Sequence, residues 1–354
     1  MISFKFKHVC IESIGVNLAP HEVTSAAIED RLAPIYQKLD IPFGTLERLS
    51  GISTRYLFDK DVNPSEIATV ASQDAIDQIG FDPKHIQALF SCSVVRDYFE
   101  PATACLVHRN LGLPETVMAM DICNACIGFS NGMMMMAQMI EAGIIKAGVV
   151  VSGEALHKIL EHHFEFILEN QDKLTREELI SVLPTYTLGS GGVAMVLAHD
   201  SIATNKHRLL GGSARSATEY NDLCKGDGDY FYRMAKGFIP VMYTESSKLI
   251  GAAAELGART WKDASEMLGW SNDDVDHIFC HQVGRQVNDA FYRQMGLDIA
   301  KEYTIYKKYG NLISASLPMA IALGTKEKNI KSGEKILLTA FGSGLNSLFM
   351  GIEW

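Results

Sequence analysis

Proline is scarce in this chain, with 10 in 354 residues against 29 glycines. Disordered, linker-rich and collagen-like chains carry far more, and 47% hydrophobic residues supply material for a large folded core. No Gly/Ser/Pro linker, charge run or low-complexity stretch marks a boundary, so any domains are tightly fused. Uncharged apolar runs of about 18 residues are missing, which excludes a membrane-spanning helix. The start, Met1-Ile2-Ser3-Phe4-Lys5-Phe6-Lys7, lacks the apolar stretch of a signal peptide. Positive charge is not in excess either: 32 Lys+Arg face 42 Asp+Glu, a formal net charge of −10, which speaks against a nucleic-acid partner. Seven cysteines, an odd number at irregular positions, read as reduced thiols and not as a disulfide framework. These absences predict a soluble, cytosolic protein.

What the chain does have is a cysteine at a corner. Residues 117–122 read as a short buried strand and residues 129–143 as a helix, with Cys123-Asn124-Ala125-Cys126 between them. A helix N-terminus presents unpaired N–H groups and a partial positive charge, which is expected to lower the Cys126 thiol pKa and to receive an oxyanion. Other readings exist. Free cysteine commonly behaves as a small buried apolar side chain. The Cys-x-x-Cys spacing also matches a redox or zinc half-site, but Cys10, Cys92, Cys105, Cys224 and Cys280 form no second pair of that spacing, and dithiol domains are ordinarily much smaller.

Two stretches share one plan. Strand 87–93, helix 102–111, the Cys126 helix and strand 147–152 are echoed by strand 276–282, helices 286–295 and 315–328, and strand 335–340. This suggests a duplicated α/β unit, with halves 1–200 and 201–354 and an inserted helical segment at 155–187. The glycine cluster Gly189-Ser190-Gly191-Gly192 lacks both the Walker ending and the dinucleotide spacing, so it is read as close backbone packing with no ligand.

Partners for a cysteine nucleophile belong at strand ends and helix starts. His281 ends the apolar run 277–280, and Asn311 sits in a turn just before the helix at 315. Each taken alone is a core or turn residue more often than a catalytic one. The segment Ala340-Phe341-Gly342-Ser343-Gly344-Leu345-Asn346 adds flexible backbone N–H donors. If the halves superpose, all these corners converge near the pseudo-twofold axis.

In combination these motifs resemble the thiolase superfamily, and within it the ketoacyl-acyl-carrier-protein synthase III branch, over essentially the whole chain. The resemblance implies a five-layer α-β-α-β-α sandwich, a homodimer, and no cofactor or metal, coenzyme A thioesters being the substrates. It implies Cys126 as nucleophile, His281 and Asn311 as its partners, and an oxyanion hole from the N–H groups of Cys126 and Ser343. Two departures from the synthase pattern stand out. The histidine is followed by Val283-Gly284-Arg285 where an Asn-Leu-Arg segment tied to carrier-protein docking is usual, which puts carrier-protein use in doubt. Glu100 stands where an apolar residue is usual, on a loop that in the family crosses into the neighbouring subunit's acyl pocket. With the stretch 213–221, Glu100 resembles the OleA type of enzyme, which joins two fatty acyl-CoA molecules head to head. Glu100 would then be the base, although a glutamate before Pro101 also suits a helix N-terminus.

Other functions fit less of the pattern. A decarboxylating synthase would use malonyl-carrier protein and leave Glu100 structural. An acyltransferase to a hydroxyl or amine acceptor would use Cys126 without forming a carbon–carbon bond. A non-catalytic partner subunit would tend to have lost Cys126. Met133 to Met136 with Met139 either line acyl tunnels or pack a helix, and Arg48 and Arg55 are expected to be solvated at the surface.

Overall fold

The structure is a computed structural model that describes residues 2–226 and 242–354. Strands β1 (Ile2–Lys5) and β2 (Val9–Leu18) lead into the hairpin strands β3 (His21–Thr24) and β4 (Thr54–Leu57), between which lie helices α1 (Ser25–Arg31), α2 (Ala33–Lys38) and α3 (Thr45–Ser50). There follow α4 (Pro64–Asp77), β5 (Ile86–Ser91), α5 (Thr103–Asn110), β6 (Met118–Asp121), α6 (Gly128–Glu141) and β7 (Ala147–Glu154). Helices α7 (His157–Glu169) and α8 (Arg176–Val182) precede β8 (Gly191–His199), β9 (His207–Ser216) and the short pair β10 (Cys224–Lys225) and β11 (Tyr243–Thr244). The described chain ends with α9 (Ser246–Leu268), β12 (His277–Cys280), α10 (Arg285–Met295), α11 (Tyr306–Tyr309), α12 (Ser316–Glu327), β13 (Lys335–Gly342) and β14 (Asn346–Glu353).

Duplication is visible in the pairing. The main sheet runs β12-β13-β14-β9-β2-β8-β7-β5-β6, with β1 on β9. Outward from the centre, β2-β8-β7-β5 and β9-β14-β13-β12 repeat one order in chain and in space. In both sets the outer pair is parallel and the other two are antiparallel. The sets meet through the β2–β9 pairs Cys10↔Arg208 and Ile11↔His207.

Helices occupy three layers around these strands. α6 and α12 share a single core with residues from both sets: Phe129, Met133, Met136 and Ile140 from one, Leu317, Met319, Ala320 and Ile321 from the other. Both helices are apolar on almost every face because each is covered on both sides. α4 and α5 pack outside the first set against Val149, Val151 and Val196, and α9 and α10 outside the second against Ile278, Leu337 and Phe349. Alternation along a strand sends Val150 to the central core and its neighbours to the outer one, which is how a sheet covered on both faces is filled. Five layers result. Met133 and Met136 are buried core residues, each contributing about 1.5–3 kcal/mol by burial, so this part of the methionine run serves packing.

Two expectations are corrected. Among the described residues β6 is an edge strand, bonded to β5 alone and at best half-buried, with Met118 37% exposed. A short apolar run does not reveal whether it has neighbours on both sides. Arg55 is fully buried: its Nη1 donates to Val23 O at 3.3 Å and its Nη2 to Ser25 Oγ at 3.0 Å, and burial pulls its pKa down to about 10.

A buried acid contributes to the pH dependence of stability in the second half. Asn288 Nδ2 donates to both Glu302 oxygens, at 2.9 and 3.0 Å, while Asn288 Oδ1 has no partner among the described residues. Burial pushes the Glu302 carboxyl up to about 8. A folded-state value above the ordinary one means that this group's contribution is intact below the ordinary carboxylate range and is lost as pH rises through about 8. Glu302→Gln, whose amide can also donate to Asn288 Oδ1, is therefore expected to gain about 1–2 kcal/mol at pH 9 and nothing at pH 5. Urea unfolding at the two pH values measures this, and an equal gain at both would assign the effect to another group.

Candidate active site

Cys126 sits on a strained corner. β6 ends at Asp121, and the chain turns through Ala125, whose φ of +46° lies in the left-handed region that costs a residue with a Cβ about 1 kcal/mol or more. Two hydrogen bonds close the turn, Ile127 N to Asn124 O at 3.2 Å and Gly128 N to Ala125 O at 3.1 Å, and Asn124 Nδ2 is tied to Asn131 Oδ1 at 2.8 Å. Among the described residues no side chain caps α6, whose first N–H groups are taken up by these backbone bonds. The expectation of an acidified thiol fails. Burial raises the Cys126 pKa, reinforced by Cys224 and Glu154, and the cysteine's own backbone N–H lowers it by less. The resting group is a neutral thiol.

His281 follows the last residue of β12, with its N–H donating to Thr339 O at 2.9 Å. It is 2% exposed, its Nδ1 has no partner among the described residues, and burial lowers its pKa to about 4, so the imidazole is neutral. Gln282 locks the strand end: its Nε2 donates to Tyr303 O at 2.6 Å, and its Oε1 accepts from Ile305 N at 2.6 Å and Tyr306 N at 3.0 Å.

The Asn311 turn rests on the glycine cluster. Asn311 N donates to Thr187 O at 2.9 Å, and Gly189 N donates back to Asn311 O at 3.0 Å. A Cβ on Gly189 would come within 2.2 Å of Tyr309 O, and one on Gly310 (φ +72°) within 2.6 Å of Thr187 O. The cluster is thus backbone packing, as read from the sequence, and what it packs is this turn. Asn311 Oδ1 accepts from Ile313 N at 2.9 Å and Ser316 Oγ at 3.2 Å. Those bonds fix the amide so that Nδ2 is the group left to donate elsewhere.

Ser343 begins the turn between β13 and β14, and this hairpin lies on the Cys126 corner. A Cβ on Gly342 would stand 3.2 Å from Ile127 N and 3.4 Å from Asn124 O, and Asn346 Nδ2 lies 3.5 Å from Asn124 Oδ1. The stretch 213–221 braces it: Ala217 N donates to Leu345 O at 2.8 Å, and Leu345 N to Ala217 O at 3.2 Å. The Ser343 hairpin thus lies against the Cys126 corner, while His281 stands at the end of β12 beside β13 and Asn311 just before α12.

Glu100 is exposed at the tip of the segment joining β5 to α5, beside Tyr98 (59% exposed) and Phe99 (77% exposed). The segment is held at both ends, by Asp97 Oδ1 accepting from Ser65 Oγ at 2.6 Å and by Asp121 accepting from Thr103 N and Ala104 N at 2.9 and 2.8 Å. Sequence reasoning missed Glu154, the buried last residue of β7, because that strand was read as ending at Ser152. The signal was an acid closing the apolar run Gly148-Val149-Val150-Val151.

Comparison with known proteins agrees with this geometry. Residues 53–177 match the thiolase N-terminal domain, and residues 266–354 match the C-terminal domain of 3-oxoacyl-[acyl-carrier-protein] synthase III. The chain is 36% identical to the acyl-CoA:acyl-CoA alkyltransferase of Xanthomonas campestris, over 99% of both proteins. It is 35% identical to that of Shewanella oneidensis, over 99% of this chain and all of that one. Its fold matches the solved structure of a serine-for-cysteine variant of Xanthomonas campestris OleA with bound lauric acid and lauroyl-CoA. There the TM-score is 0.91 and the identity 35%, over 99% of this chain and 100% of the other. A glutamine-for-glutamate variant of the same OleA alters a residue that precedes that cysteine by the same separation as Glu100 precedes Cys126.

Proposed function

This chain belongs to the OleA family of acyl-CoA:acyl-CoA alkyltransferases in the thiolase superfamily, and we propose that it joins two fatty acyl-CoA molecules head to head through an acyl group carried on Cys126. The reaction starts from a neutral pair. As the first acyl-CoA enters, the Cys126 thiol passes its proton to neutral His281 and the sulfur attacks the thioester carbonyl. The backbone N–H groups of Cys126 and Ser343 receive the oxyanion. The intermediate collapses to acyl-Cys126, and CoA leaves as the thiol with the proton His281 returns.

The second acyl-CoA carries no carboxylate to lose, so its α-proton needs a base. Glu100 takes that proton, and His281 and Asn311 donate hydrogen bonds to the enolate oxygen. The carbanion attacks the Cys126 thioester, the sulfur leaves as thiolate and takes up the proton that Glu100 removed, which resets both groups, and the product is a 2-alkyl-3-ketoacyl-CoA. Glu100 lies on an exposed apolar tip three residues before Thr103, whose N–H is held by Asp121 at the end of β6, and among the described residues β6 pairs with β5 alone. A second copy docked on the β6 edge, forming a homodimer, would receive the tip in its own site. All seven cysteines are free thiols, and we place the reaction in the cytosol. No helix among the described residues is long and apolar enough to cross a membrane.

The observation that supports this reading is Glu100, a carboxylate as far ahead of Cys126 as the glutamate altered in an OleA variant is ahead of that enzyme's cysteine, in a chain alike over its full length to acyl-CoA:acyl-CoA alkyltransferases. Incubating the purified protein with myristoyl-CoA alone should release CoA and yield a product of the mass of the condensed thioester. Turnover that requires malonyl-carrier protein would instead make it a decarboxylating synthase.

A further inference from the structure

Among the described residues, Glu154 is a buried acid that the mechanism above does not use. It has no exposed surface, at the end of a strand buried along its whole length. A carboxylate there is costly unless donors satisfy it, and three do. Val94 N lies 2.9 Å from Oε1, Val95 N 3.2 Å from Oε2 and Ser314 Oγ 2.5 Å from Oε1, with Ser152 Oγ a further 2.6 Å from Ser314 Oγ. The two N–H groups open the segment whose tip is Glu100. The hydroxyl belongs to the turn that begins at Asn311, three residues before it in sequence.

We propose that Glu154 is a positioning residue for condensation, a shared anchor that sets the Glu100 tip and the Asn311 amide at their working heights. The inference rests on the roles given above to Glu100 and Asn311. Both act on the second acyl-CoA, so loosening their common anchor separates the half-reactions: Cys126 still acylates, but carbon–carbon bond formation slows. If the Glu100 tip serves the neighbouring subunit, the same carboxylate ties a subunit's own enolate donor to the base it lends its partner. A glutamine cannot imitate this. In either amide orientation an NH2 group faces the Val94 or the Val95 N–H, leaving a buried donor unpaired.

The test uses the full-length protein and myristoyl-CoA, reading acyl-Cys126 by intact mass, CoA release by thiol titration and condensed product by mass. Glu154→Gln should acylate Cys126 within about 3-fold of the parent and condense about 30-fold more slowly. Ser314→Ala, which removes only the Asn311-side tether, should show the same asymmetry to a smaller degree. Unchanged condensation, or equal loss of acylation and condensation, overturns the proposal. Should Glu154→Gln fail to fold, Ser314→Ala decides on the same criterion. Glu100→Gln run in parallel separates the failures. If Glu100→Gln condenses normally, the reading of Glu100 falls and this inference falls with it; if it is inactive while Glu154→Gln is unaffected, only the inference falls.

Discussion

Cys126→Ala is expected to release no CoA from myristoyl-CoA and to form no product, a loss of about 10⁴-fold or more in turnover. Alanine removes the atom that must bond to the acyl carbon, and none of the three other half-buried or exposed cysteines offers a substitute: Cys105 lies in α5, and Cys123 and Cys224 lie off the start of α6. The neutral resting state adds a second signature. Because burial raises the Cys126 pKa, the thiolate fraction at pH 7 is smaller than for a free cysteine, and iodoacetamide should label Cys126 more slowly than a small-molecule thiol. Labelling should speed up with rising pH, and prior incubation with acyl-CoA should block it. Rapid labelling at pH 6 would mean that a cation or the helix start outweighs burial after all. Label appearing on Cys126 after acylation would remove the sulfur from the mechanism.

How much of this was legible without coordinates can be judged residue by residue. The corners were legible as local features: His281 closes the apolar run 277–280, and Cys126 and Asn311 sit in turns just before a helix. The duplication was legible as a repeat of two strands and two helices, which the matching places of β5 and β7 and of β12 and β13 bear out, whereas β2, β8, β9 and β14 and the strand order came only with the structure. Arg55 was not, because an arginine has a strong prior for the surface and only the tertiary contacts to Val23 and Ser25 override it. Nor was Glu154: its donors lie 60 and 160 residues away in sequence, and no local pattern reports a carboxylate satisfied at that range. The Cys126 pKa was misjudged for a related reason. The helix N-terminus can be read from a turn and a periodic run, whereas the desolvation that opposes it depends on everything packed around the sulfur.

Glu100→Gln is expected to separate the two half-reactions more sharply than any other substitution. Acylation of Cys126 does not involve the carboxylate, so CoA should appear in a burst of one equivalent per site and then stop. Condensation should fall about 10²–10⁴-fold, the usual contribution of a positioned general base. An amide of the same shape cannot accept the α-proton, so no enolate forms and the acyl-enzyme accumulates. The exposed position of the tip makes a further prediction about where the base works. Mixing Glu100→Gln with Cys126→Ala under conditions that exchange subunits should regenerate activity, because each mixed dimer holds one site with both an intact sulfur and a carboxylate from the other subunit. Random assortment gives about half mixed dimers with one competent site each, so the recovered rate should approach about a quarter of the parent's. Either variant alone contributes almost nothing to that signal. A mixture that stays inactive after exchange is verified would place the base in the same subunit as its sulfur and overturn the crossed arrangement.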